Sequence, residues 1–276
     1  MQKYLFIIII FLTGINNFAF SKSIPADDKP KRKKIEANLD AINASVQSLF
    51  FEKGTSYNPT KSWMSLMRQV RDAKLQRKQA VDSMGRLTDE LYMYMYLKNK
   101  EPVDKSEWVF PVRGYNWSAI GGVQGSGYVV ADFDFFDNNS GGHPAHDIFI
   151  NDKNQDAIDD NTNKPVEILS MSGGVVVETR KNWTPEMMDI KGGNIVYVYD
   201  NFSDGLFYYA HMNKVYVNVG DFVLPGTVLG IMGRTGKNAY PLRSPTHLHL
   251  MYVKNHNGDL TPVNMYDELA KVKSIK

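Results

Sequence analysis

From residue 107 onward the chain is written in short β-forming runs separated by turn residues, and this pattern restricts the larger part of it to a mainly β domain. The runs are residues 127–131 (GYVVA), 174–177 (GVVV), 194–199 (NIVYVY), 206–210 (LFYYA), 214–217 (KVYV) and 249–253 (HLMYV), with Gly, Asn and Asp between them. Only residues 185–190 and the stretch near 266–272 read as briefly helical. No GxGxxG opens a βαβ unit and no phosphate loop is present, so nucleotide chemistry finds no support. The pattern predicts a β-rich domain over 107–276.

The boundary at 101–106 (EPVDKS) divides this region from a different pattern. Upstream, Ile35, Leu39, Ile42, Val46 and Leu49 repeat at helical spacing. Residues 54–61 (GTSYNPTK) then break the stripe. A second stripe runs through Leu66, Val70, Ala73, Ala80, Met84, Leu87 and Leu91, with Arg77 as its polar interruption. Two such segments predict an α-helical hairpin arm over 35–100, either packed on the β domain, dimerised, or used to bind a regulatory partner.

Before the arm, residues 22–34 read as a flexible charged lead-in. Residues 1–21 read as a signal peptide: Lys3, then nine apolar residues at 4–12 (YLFIIIIFL), then Ala19-Phe20-Ser21 as the cleavage signal. Nine apolar residues are too few for a permanent membrane anchor, and no Cys follows to carry a lipid. The expected destination is periplasm or medium.

Charge and composition narrow the chemistry. Lys+Arg 32 against Asp+Glu 30 gives a net charge of +2, which provides no field for nucleic acid. With no Cys in the chain, disulfides, thiolate metal sites and a thiol nucleophile are excluded, and any metal must be held by His, Asp or Glu.

Of the six His, five fall in three motifs of the β region. The first, Gly142-His143-Pro144-Ala145-His146-Asp147, brings an imidazole and a carboxylate to one turn. The second is Tyr209-Ala210-His211-Met212. The third is Thr246-His247-Leu248-His249, where positions i and i+2 of a strand share a face. Two His and one carboxylate leave a fourth tetrahedral position open, as in catalytic zinc sites, while further imidazoles nearby suit proton transfer. Non-haem iron uses a similar ligand set and is the rival metal.

In this order, and together with Gly220-Asp221-Phe222-Val223-Leu224-Pro225-Gly226, the run 229–236 (LGIMGRTG) and Ser244-Pro245-Thr246, these motifs resemble the lysostaphin/LytM-type zinc metallopeptidases of bacterial peptidoglycan, across residues 108–255. The resemblance implies a compact antiparallel β fold with an open cleft and one Zn²⁺ per chain. It implies His143, Asp147 and His249 as ligands, and His211 and His247 as catalytic residues. It further implies attack of zinc-activated water on peptide stems or cross-links. His146 is an extra residue beside the motif, read as a core or second-shell candidate. The family's cleft tyrosine finds no counterpart by alignment. The acidic stretch 151–164 could hold calcium through Asp152, Asp156, Asp159 and Asp160, but it lacks EF-hand spacing and reads better as a solvated loop. The alternative to an enzyme is a non-catalytic or autoinhibited peptidase-like module that binds the wall or activates another hydrolase. A β-barrel iron oxygenase is a more distant third reading.

Overall fold

A computed structural model of the chain describes residues 58–137 and 141–276. The stripe at 35–49, the lead-in and the signal-peptide reading lie outside these residues. Among the described residues no helix is long and apolar enough to cross a membrane.

Two helices open the described part. Helix α1 (Pro59–Arg71) starts where the Asn58 side chain accepts from the Thr60 backbone N–H at 3.0 Å and Pro59 supplies a preset first turn. Helix α2 (Arg77–Leu97) follows after five residues. The hairpin differs from the expected one. The stripe expected to run unbroken from Leu66 to Leu91 is cut between Asp72 and Gln76, so both arms of the described hairpin come from what read as its second half. The stop is a Schellman motif: Ala73 sits at φ 51°, the Ala73 N–H donates to Val70 C=O, and the Lys74 N–H donates to Gln69 C=O. Alanine in place of the usual glycine hid this end from the sequence reading.

Among the described residues the β domain is one nine-stranded antiparallel sheet. Its strands are β1 (His146–Phe149), β2 (Glu167–Leu169), β3 (Gly174–Arg180), β4 (Asn194–Asp200), β5 (Gly205–Val215), β6 (Phe222–Val223), β7 (Val228–Met232), β8 (His247–His256) and β9 (Asp259–Pro262). The main path runs β1-β8-β5-β4-β3-β6, with β9 on β8 and with β7 joining β5 and β2. The short helix α3 (Tyr266–Lys271) closes the chain. The fold is mainly β, preceded by a helical hairpin.

Period-two alternation gives the sheet two different faces. One carries Ile148, Val196, Val198, Phe207, Tyr209, Leu248, Leu250 and Tyr252 into the main core with Trp108 and Phe110. The other carries Val175, Val177, Tyr199, Leu206, Met251 and Val253, which pack against Trp63, Leu66, Met84 and Leu91 of the hairpin. The hairpin covers only part of this second face. The uncovered part, bearing Tyr208 and alternate residues of β1 and β8, holds the histidines.

Candidate metal centre and active site

Each site residue is placed by strand register or by a local break in it. Asp147 on β1 stands opposite His249 on β8, and His249 in turn stands opposite Ala210 on β5. His247 and His249 project from the same side of β8. His143 precedes β1 in a turn containing Gly142, whose φ is 90° and where a Cβ would lie 2.4 Å from Val130 O, so only glycine fits. His211 occupies a discontinuity in β5: before it β5 pairs with β8, after it with β7, and the β4–β5 register shifts between Val196 and Asn194. Its φ of 65° is left-handed, uncommon for a residue with a Cβ, and re-aims the imidazole into the cleft.

The first-motif pair and His249 converge. Asp147 Oδ1 lies 3.3 Å from His143 Nε2 and 3.0 Å from His249 Nδ1, and the ligand atoms of all three residues lie within 4.8 Å of one another. Four-coordinate zinc with nitrogen and oxygen ligands at about 2.0–2.1 Å sets those atoms roughly 3.3 Å apart, so this donor set fits the ion in both chemistry and spacing. Around it stand His247, with Nε2 3.7 Å from Asp147 Oδ1, and His211, whose ring centre is 4.9 Å from that of His247 and 5.7 Å from that of His249.

Backbone carbonyls define the imidazole tautomers. Nδ1 of His143 meets Gly127 O at 2.9 Å, that of His211 meets Thr235 O at 2.8 Å, and that of His247 meets Pro245 O at 2.7 Å. A carbonyl only accepts, so each Nδ1 carries a proton; in the neutral rings of His211 and His247 Nε2 then presents a lone pair, whereas His143 Nε2 faces Asp147 Oδ1 at 3.3 Å and donates to it when that imidazole is protonated. His249 is turned the other way, with Nδ1 toward the site.

The electrostatics follow from burial and pairing. Burial opposes charge on Asp147, yet hydrogen bonds from His143 and His249 and the nearby imidazoles hold its carboxyl far below the usual range. The bond to Asp147 raises His143. Burial, then the neighbouring His249 and His247, pushes His211 down to about 3, and burial also lowers His247. Both imidazoles beside the ligand group are therefore neutral at ordinary pH.

The remaining sequence candidates go elsewhere. His146 points from β1 to the opposite face, where its Nε2 lies 3.0 Å from Asn264 Oδ1 and accepts from the Met265 N–H at 3.2 Å, with Tyr128 stacked on the ring. The acidic stretch is not simply solvated. Asp152 and Asp159 are buried, and the carboxylates of Asp152, Asp156, Asp159 and Asp160 all accept backbone N–H groups of their own loop. Bonds that close the loop on itself account for the acidic residues without a cation.

Two parts of the site had no signal in the sequence. Tyr208 lies on the cleft face, its ring edge-on to His249 at 6.0 Å and packed on Tyr197 at 4.5 Å. The cleft, about 540 Å³, is lined by His143, His211 and His249, and also by Met67 and Arg71 of α1. Arg71 is held there by Glu178 at 2.8 Å, and Glu178 also accepts from Trp63 Nε1 at 3.3 Å.

Residues 153–262 match peptidase family M23, a segment that includes His211, His247 and His249 and begins just after Asp147. That segment is similar to this peptidase family. The glycyl-glycine endopeptidase ALE-1 of Staphylococcus capitis is 30% identical over 114 residues, which is 41% of this chain and 28% of that protein. The chain thus spans little more than a quarter of that relative's length. Among solved structures, the catalytic domain of the antimicrobial peptidase lysostaphin from Staphylococcus simulans is 25% identical, covering 45% of this chain and 77% of that one, with a TM-score of 0.32. A zinc containing peptidase from Vibrio cholerae is 21% identical, covering 63% of this chain and 39% of the other, with a TM-score of 0.34. The hairpin and the first-motif residues His143 and Asp147 lie outside the matched segment.

Proposed function

We propose that this chain is an exported zinc endopeptidase that hydrolyses peptide cross-links of bacterial peptidoglycan. The observation that carries the reading is the convergence of His143 Nε2, Asp147 Oδ1 and His249 Nδ1 beside a cleft also lined by His211, with His247 Nε2 3.7 Å from Asp147 Oδ1, so that two further unprotonated Nε2 atoms adjoin the group. The name of the relative ALE-1, a glycyl-glycine endopeptidase, supports peptide cross-links as the substrate class. Export rests on the signal-peptide pattern of residues 1–21.

His143, Asp147 and His249 would hold the ion, and Asp147, kept ionised, contributes the negative charge of the donor set. When bound, zinc supplies Lewis acidity, which activates water near neutral pH and polarises a carbonyl. The chain's own residues manage the protons. Burial keeps His211 and His247 neutral, so either Nε2 can accept the proton released by the attacking water. The imidazolium so formed can then donate to the developing oxyanion and to the departing amine. The cleft walls, including Met67 and Arg71 of the hairpin, would orient the peptide. All five positions are filled, which favours this reading over that of a peptidase-like module that lacks ligands.

The test is the release of new amino termini from purified peptidoglycan by the zinc-loaded protein, with and without chelator. Chelator-sensitive release supports the peptidase. Stoichiometric zinc with no release from any cross-linked wall preparation contradicts it.

A further inference from the structure

The acidic loop that read as solvent-facing has a second role. Asp152, at its start, is 6% exposed, and besides two backbone N–H groups its Oδ2 accepts the Thr246 hydroxyl at 2.6 Å. Thr246 is fully buried and immediately precedes His247. The same Oγ1 accepts from Arg234 Nη1 at 3.1 Å, and this guanidinium also donates to Ser244 O at 2.7 Å and to Pro241 O at 3.1 Å. The hydroxyl is thus used in both senses, as acceptor from Arg234 and donor to Asp152, in a directed chain across the turn at residues 241–246. Inside that turn lies Pro245, whose carbonyl accepts from His247 Nδ1 and so leaves Nε2 as the ring nitrogen turned toward Asp147, 3.7 Å from its Oδ1.

We propose that Asp152, Thr246 and Arg234 are positioning residues for His247: they clamp the turn so that the Pro245 carbonyl holds His247 in its Nδ1–H tautomer with Nε2 toward the metal site. None of the three touches the cleft chemistry directly. Two charged groups converge on one buried hydroxyl, and that hydroxyl is one residue from the imidazole. A valine of the same shape at 246 would leave Asp152 and Arg234 each short of a partner and free the turn to relax. A displacement of about 1 Å in a proton-transfer group costs on the order of 100-fold in rate.

The kinetic part of this proposal rests on the peptidase reading, whereas the tautomer part rests on geometry alone, so the experiment measures both. Thr246→Val, Thr246→Ser and Arg234→Gln are made in the whole chain and loaded with zinc. Turnover is followed on soluble cross-linked peptidoglycan fragments, and the His247 tautomer by long-range ¹H–¹⁵N correlation. Thr246→Val is expected to keep one zinc, lose roughly 10- to 100-fold in kcat with KM within about twofold, and give a mixed tautomer signature. Thr246→Ser, which keeps donor and acceptor, is expected to restore kcat to within about threefold of the parent. If Thr246→Val does not fold, Arg234→Gln, at a half-buried site, carries the same expectation. Parental kcat with an unchanged tautomer signature in a folded variant overturns the proposal. If the parent protein cuts nothing, the peptidase reading fails and the tautomer signature alone decides the positioning role.

Discussion

Asp147 and His249 face each other across the β1–β8 pair, with Asp147 Oδ1 3.0 Å from His249 Nδ1. This one register contact joins the first His motif to the last across a hundred residues of chain. It makes the geometry of the His143–Asp147–His249 group depend on strand pairing rather than on a local loop. A slip of one residue would turn Asp147 into the core and destroy the site.

Removing either partner should therefore empty the site. Asp147→Ala or His249→Ala is expected to lose stoichiometric zinc and to lower turnover by about a thousandfold or more, several kcal/mol of barrier. Metal analysis of the purified variants checks the first part. A His249→Ala protein that keeps one tightly held zinc would count against the ligand assignment.

His211 should separate metal binding from chemistry. It contacts the ligand group without joining it, and its lone pair is held at Nε2 by the Thr235 carbonyl. His211→Ala is expected to retain zinc and lose roughly 10²- to 10⁴-fold in kcat, the usual contribution of a positioned acid or base. Full activity in a zinc-loaded His211→Ala protein would remove it from the mechanism.

Zinc loading should weaken as pH falls. Asp147 raises His143, so the metal-free site holds a proton on that imidazole at pH values where a free histidine has already lost it. Below the raised value the ion must displace this proton, and affinity should fall by about tenfold for each pH unit. Asp147 stays ionised throughout and adds no competing proton. Competition titrations between pH 8 and pH 5 check the sign. An affinity that is flat down to pH 6, below the ordinary histidine value, contradicts the assigned coupling.

Trp63 anchors the hairpin to the sheet. It is fully buried and donates from Nε1 to Glu178, the residue that also fixes Arg71 in the cleft wall. Trp63→Ala is expected to cost about 3–5 kcal/mol by loss of packing. Urea unfolding measures it. Because Glu178 would lose one of its donors, Arg71 should also shift, and KM should rise more than kcat falls. Unchanged stability would mean that the hairpin does not depend on this contact.

The sequence exposed the parts of the molecule that repeat or that carry rare residues. Period-two runs marked β4, β5 and β8, and six histidines in a chain without cysteine drew attention to His143, Asp147, His211, His247 and His249. What it concealed were features set by backbone geometry at unmarked residues. Ala73 ends α1 in a left-handed conformation normally signalled by glycine, so two helices read as one stripe. His211 turns inward at a break in β5 that no residue type announces. The role of Asp152 depended on a bond to Thr246, 94 positions away in the chain, which no local pattern can show. Met67 and Arg71 reach the cleft only because the hairpin docks on the same sheet face as the histidines. His146, chemically equal to its neighbours, is set apart solely by pointing to the other side of β1.

The most direct test of the central claim is to measure zinc content and peptidoglycan cleavage together on the same preparation of protein. The account predicts one zinc per chain, with new amino termini released from purified peptidoglycan, abolished by chelator and restored by added zinc. A folded protein that takes up no zinc at neutral pH, or that cuts equally well after the metal is stripped, would contradict it.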